Sequence, residues 1–115
     1  MSNAIVNAPL GGPRKPEPVA FTRSELTRIL SVYGQFVAAG DWKDYAIDTL
    51  KDAAVFSIYR RASEVPLYRI EKRPKLARKQ GAWVIVSMTG AILKRGHDLG
   101  AVLKLFDRQR LKLAT

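Results

Sequence analysis

The chain contains no cysteine among its 115 residues. That excludes a disulfide scaffold and any thiolate-held metal, and it suits a reducing compartment, so a cytoplasmic setting is expected. No apolar run approaches the roughly 18–20 residues that a membrane-crossing helix needs. The start lacks a basic segment leading into an apolar one, so no secretory signal is expected. A glycine-rich phosphate loop is also missing, since Gly11-Gly12 has neither a strand nor a helix pattern around it. The sole histidine, His97, has no acidic or cysteine partners at metal-ligand spacing. With no catalytic motif in view, the expectation is a non-enzymatic protein with no cofactor, and no small-molecule substrate is evident.

Acidic residues are scarce as well, ten against twenty Lys and Arg, giving a formal net charge of +10. The excess is concentrated. Between Arg60 and Lys79 lie eight basic residues and two acidic ones, Glu64 and Glu71. Residues 21–52, in contrast, sum to −1. Concentrated positive charge on a small protein is a footprint for an anionic partner, most commonly nucleic acid. A pI of about 10.3 would equally suit an anionic membrane surface, so charge alone does not choose.

Residues 1–20 hold Pro9, Gly11, Gly12, Pro13, Pro16 and Pro18 and no period, which reads as an extended arm. A single domain is expected over residues 21–107, followed by a basic tail at 108–115. Thr22 and Glu25 form a capping box, and Phe21 with Leu26 a hydrophobic staple, at the start of a first helix. Leu26, Ile29, Leu30, Tyr33 and Val37 make its apolar stripe, with Gly34 explained by a close backbone approach and Gly40 as the stop. Residues 42–50 fit a short helical turn or a strand. Asp41, Asp44, Asp48 and Asp52 are placed on a helix or loop surface, where they could neutralise the basic segment or dock a second copy of it.

Val55–Tyr59 and Leu67–Glu71 read as paired strands, with Ile58 opposite Tyr68 and Phe56 opposite Ile70. Trp83–Met88 and Ile92–Arg95 form a second hairpin around Thr89-Gly90. Asp98 caps a short helix that carries Leu99, Val102, Leu103 and Phe106. The connections between strands are too short for parallel crossovers. The fold class is therefore α+β: an antiparallel four- to five-stranded sheet with an N-terminal and a short C-terminal helix on one face.

On that fold, Arg60, Arg61, Arg69, Lys72, Arg73, Lys75, Arg78 and Lys79 are the candidate phosphate contacts, with Tyr59 or Trp83 as a stacking ring. The alternative for these cations is a solvated face. A second function class, a homodimer or a protein partner, would follow if Val55, Tyr59, Leu67, Trp83 and Ile85 left an exposed apolar sheet face. The helix–strands–helix order is shared with double-stranded-RNA-binding domains. The second helix nevertheless begins His97-Asp98-Leu99-Gly100, without the lysine cluster of that module.

Five stretches carry a closer resemblance. They are residues 21–26, 44–48, 54–57, Pro66-Leu67-Tyr68-Arg69-Ile70-Glu71-Lys72 and Leu93-Lys94-Arg95-Gly96-His97-Asp98-Leu99. Over residues 21–106 the chain resembles domain-of-unknown-function family 2794, small alphaproteobacterial proteins. The resemblance implies a bacterial, cytoplasmic protein and brings no activity, cofactor or site residues.

Overall fold

The first helix forms because its free ends are satisfied by nearby residues. In the computed structural model, which describes residues 17–61 and 65–114 (side chains to 110), α1 runs Arg23–Ala38. The Thr22 hydroxyl accepts from the Glu25 N–H at 3.2 Å, and the Glu25 carboxylate accepts from the Thr22 N–H at 2.7 Å. Both halves of the expected capping box are present. At the other end Gly40, at φ +82°, donates to the Val37 carbonyl and Asp41 to that of Phe36, each at 2.9 Å. This paired closure turns the chain sharply and delivers Trp42 beneath the helix.

The buried stripe of α1 differs from the one expected. Ile29 and Phe36 are buried, and Leu26, Val32 and Tyr33 pack against the core, whereas Leu30 and Val37 stay exposed. Positions 26, 29, 33 and 36 follow the helical period, and Leu30 and Val37 lie at its margin. Gly34 meets no close backbone either, because a Cβ there would have nothing within 4 Å. With no contact to lose, Gly34→Ala should raise stability by about 1 kcal/mol through helix propensity and a less free unfolded chain. A higher midpoint in thermal unfolding checks this.

Five antiparallel strands follow in sequence order: β1 Asp44–Thr49, β2 Ala54–Tyr59, β3 Tyr68–Lys72, β4 Trp83–Ser87 and β5 Ile92–Gly96. The undecided segment 42–50 is thus strand, not helix. Pairing with β2 gives Tyr45 and Ile47 partners in Ile58 and Phe56. Ile58 lies opposite Tyr68 and Phe56 opposite Ile70, as expected. The Thr89-Gly90 hairpin closes with Ser87 donating to the Ala91 carbonyl at 2.8 Å. A bulge interrupts the β4–β5 ladder at Ile85/Val86.

One face of the sheet supplies Ala54, Phe56, Ile58, Ile70, Trp83 and Ile85 to a core shared with Ile29, Phe36, Leu99, Val102, Leu103 and Phe106 of the helices. Trp42 sits centrally, stacked on Phe36 at 4.2 Å and edge-on to Phe106 at 5.2 Å. Asp98 caps α2 (Leu99–Leu103), accepting from the Ala101 N–H at 2.9 Å. A further helix, α3 (Leu105–Ala114), occupies most of the expected basic tail. Phe106 anchors it in the core, and Gln109 and Arg110 bind Tyr68 and Gln35 at 2.9 and 2.7 Å. The architecture is α+β, with the three helices of the described residues on one side. The expected arm falls mostly on residues outside the described set, as does the loop tip at 62–64. Of the arm's last residues, Val19 joins the domain by donating to the Leu50 carbonyl at 2.8 Å.

Candidate nucleic-acid interface

Strand alternation sends every second residue to the face away from the helices. That face carries Asp44 and Asp48 from β1, then Val55, Ser57 and Tyr59 from β2 and Arg69 and Glu71 from β3. Val84 and Val86 from β4 and Arg95 from β5 complete it. None of these residues belongs to the helix-covered core cluster. Glu71 is buried and accepts from Arg69 Nε at 3.1 Å and from Arg73 Nε at 2.8 Å. One carboxylate between two guanidinium groups leaves an excess positive charge. Each arginine donates only its Nε in these contacts, so its terminal amino groups remain for a further acceptor.

Arg95 lies in the same cross-strand row as Glu71, two strands away across Val84, or about 10 Å. Its Nη1 is buried, with no acceptor among the described residues. A cationic donor withdrawn from water and left unpaired is unfavourable, and it gains more than an exposed one from an arriving anion. Sequence reading passed over Arg95. The available signal was its opposition to Val84 in the second hairpin, but the residues sharing the row come from β2 and β3.

The basic segment itself is divided by the fold. Arg69 and Arg73 meet at Glu71. Arg60 and Arg61, exposed at the end of β2, line two grooves of about 260 Å³ each, one shared with Val65, Leu67 and Met88. Arg60 approaches Asp41 at 3.9 Å. Lys75, on a 3-10 turn at Pro74–Leu76, donates to Asp52 at 3.0 Å. That hydrogen bond and the Lys75 charge hold the Asp52 carboxyl below its ordinary range. Arg78 and Lys79 are exposed in the following turn. Two of the four aspartates therefore neutralise basic residues as anticipated, while Asp44 and Asp48 lie on strand β1 rather than on a helix or loop.

Two candidates drop out. Lys72 faces the helices, donating to the Ala20 carbonyl at 2.9 Å and to Glu25 at 2.8 Å. Trp83, directly opposite Lys72, shares that face; it is 6% exposed and stacks on Phe21 at 6.1 Å. Neither reaches the face of Arg69. Tyr59 alone of the two rings is on the outer side, half-buried. The exposed apolar patch is not formed either, because Trp83 and Ile85 point into the core and Val55 is buried.

Lys72 and Glu25 instead tie the arm, α1 and β3 together. Burial raises the Glu25 pKa, but the Lys72 hydrogen bond, the Thr22 N–H and the Lys72 charge outweigh it, and the net shift is downward. A lowered carboxyl contributes stability above the ordinary glutamate pKa and loses it as pH falls through the folded value. Glu25→Gln should therefore cost about 1 kcal/mol at neutral pH. The gap to the unmodified protein should close in acid, read as urea midpoints over a pH series.

A single antiparallel sheet, covered by helices on one side and bearing a Glu-centred arginine cluster on the other, defines a one-sheet α+β domain. The chain belongs to a family of proteins of unknown function, DUF2794, whose family model matches residues 19–103. Comparison with curated proteins and with solved structures finds no match. Among the described residues no helix is long and apolar enough to cross a membrane, and no group of three or more potential metal ligands gathers.

Proposed function

We propose that this protein is a non-enzymatic module, working in a bacterial cytoplasm, that contacts nucleic acid with its helix-free sheet face. Arg69, Arg73 and Arg95 hold phosphates there, and Tyr59 offers a ring for a base. Arg60, Arg61, Lys75, Arg78 and Lys79 continue the contact onto the adjoining loops. The observation that carries this reading is the row running from Glu71 to Arg95, which ends in a buried guanidinium nitrogen without an acceptor. Chemically, arginine is suited to such a role, since its planar fork matches phosphate oxygens in a bidentate way.

The test is fluorescence anisotropy of nuclease-treated protein with labelled single- and double-stranded RNA and DNA across a salt series. Binding should weaken steeply with salt, by a log–log slope of roughly 0.7–0.9 per neutralised phosphate. Combining Arg73→Glu, Lys75→Glu, Arg78→Glu and Lys79→Glu should weaken it by about 100-fold, and Arg95→Gln alone by about tenfold. Unchanged affinity in the fourfold variant, with its circular dichroism intact, would sink the reading. So would the lack of binding at physiological salt.

A further inference from the structure

The two edges of the sheet differ. β5 is the last strand in the order, so among the described residues its outer edge pairs with nothing. Beside it, on the helix side, runs a groove of about 380 Å³ lined by Lys94, Ala101, Lys104, Leu105 and Arg108. Lys94 lies opposite Ile85 and so faces the helices, while Lys104 and Arg108 lie one turn apart across the groove. All three cations are exposed. The ion pairs of the described residues involve other cations, and Asp107, the nearest acid in sequence, is engaged by Arg110 at 3.5 Å. At the end of the strand Ile92 and Leu93 are 56% and 40% exposed.

From this arrangement we infer that the β5 edge is a docking site for an extended acidic peptide, which adds to the sheet as a sixth strand. Main-chain donors and acceptors of β5 supply the ladder. Alternate acidic side chains of the peptide, turned to the helix side, meet Lys94, Lys104 and Arg108, and an apolar residue reaches Leu93. The bulge at Ile85/Val86 limits regular pairing to the Lys94–Gly96 stretch, so the added ladder is short and charge must supply much of the affinity.

Nucleic acid fits this groove less well, because among the described residues no aromatic side chain lines it for stacking. A second copy offering its own free edge, β1, fits poorly too. In a continuous sheet with the helices on one side, β1 would turn Tyr45 and Ile47 toward the cations, and Asp44 and Asp48 away from them.

The test is anisotropy with a labelled peptide alternating glutamate and valine, at physiological salt. It is compared with a lysine–valine peptide and with a glutamate–proline peptide that keeps the charge but cannot pair as a strand. The glutamate–valine peptide should bind, and both controls should fail. The surface variant Lys104→Glu/Arg108→Glu should bind it at least about tenfold more weakly, while the fourfold loop variant proposed above should bind it undiminished. Retention by the proline peptide overturns strand addition, and absence of binding overturns the site. An oligonucleotide that competes and is itself lost in Lys104→Glu/Arg108→Glu hands the groove to nucleic acid instead. Sedimentation showing self-association abolished by that same variant hands it to a second copy. Because the sheet-face and groove variants share no residue, either proposal can fail without the other.

Discussion

Trp42→Ala should destabilise the protein by about 4 kcal/mol, a large part of what a domain of this size has in hand. Trp42 is 1% exposed and meets four rings: Phe36, Phe106, Tyr68 and Tyr33, with centroids between 4.2 and 6.0 Å. Truncation opens a cavity where α1, α3 and the sheet converge, and those elements cannot all close on it. Because its Nε1 has no protein acceptor, Trp42→Phe removes an unpaired donor as well as ring area. That variant should lose less than half as much. The check is urea unfolding, in which the midpoint falls while the slope stays constant. Equal losses for Ala and Phe would mean that a phenyl ring recovers none of the packing and that the full indole shape is required.

Gly81→Ala should be nearly as damaging, at about 3 kcal/mol or roughly 10–20 °C in thermal midpoint. Gly81 sits at φ +98°, and a Cβ there would run into the carbonyl carbon and oxygen of Gly96 and lie 2.8 Å from the His97 nitrogen. Backbone atoms at the end of a paired strand have little room to give. Gly40 supplies the control. It has φ +82° with nothing within 4 Å of its Cβ position, so Gly40→Ala should show the conformational penalty alone, about 1 kcal/mol. The difference between the two measures the close approach that joins the basic loop to β5. If both cost the same, the two glycines are needed for φ only.

Much of this was legible where the determining interactions are local. Thr22 and Glu25 are three residues apart and complete a capping box by themselves, so the start of α1 could be placed from the chain. The β2–β3 pairing followed from large residues at alternate positions, which agree on a single register. Segment 42–50 was not legible. Tyr45 and Ile47 have a strand's alternation for too few residues, and it is β2, not their own propensity, that holds them extended. Most of the last helix escaped notice for a similar reason. Its anchors, Phe106 on the aromatic core, Gln109 on Tyr68 and Arg110 on Gln35, are all distant in sequence.

By itself, then, the sequence determined the class of fold, the amount of positive charge and the stretch of chain that carries most of it. Only the tertiary structure decided which cations share a surface. Lys72 and Arg73 are neighbours in the chain, yet one donates to Glu25 on the helix side and the other to Glu71 on the opposite side. Trp83 went inward with Lys72 for the same reason, and Arg95 arrived from another hairpin to join Arg69 and Arg73. A strand's period of two makes the face of every side chain depend on register, and register is set by partners far away in sequence.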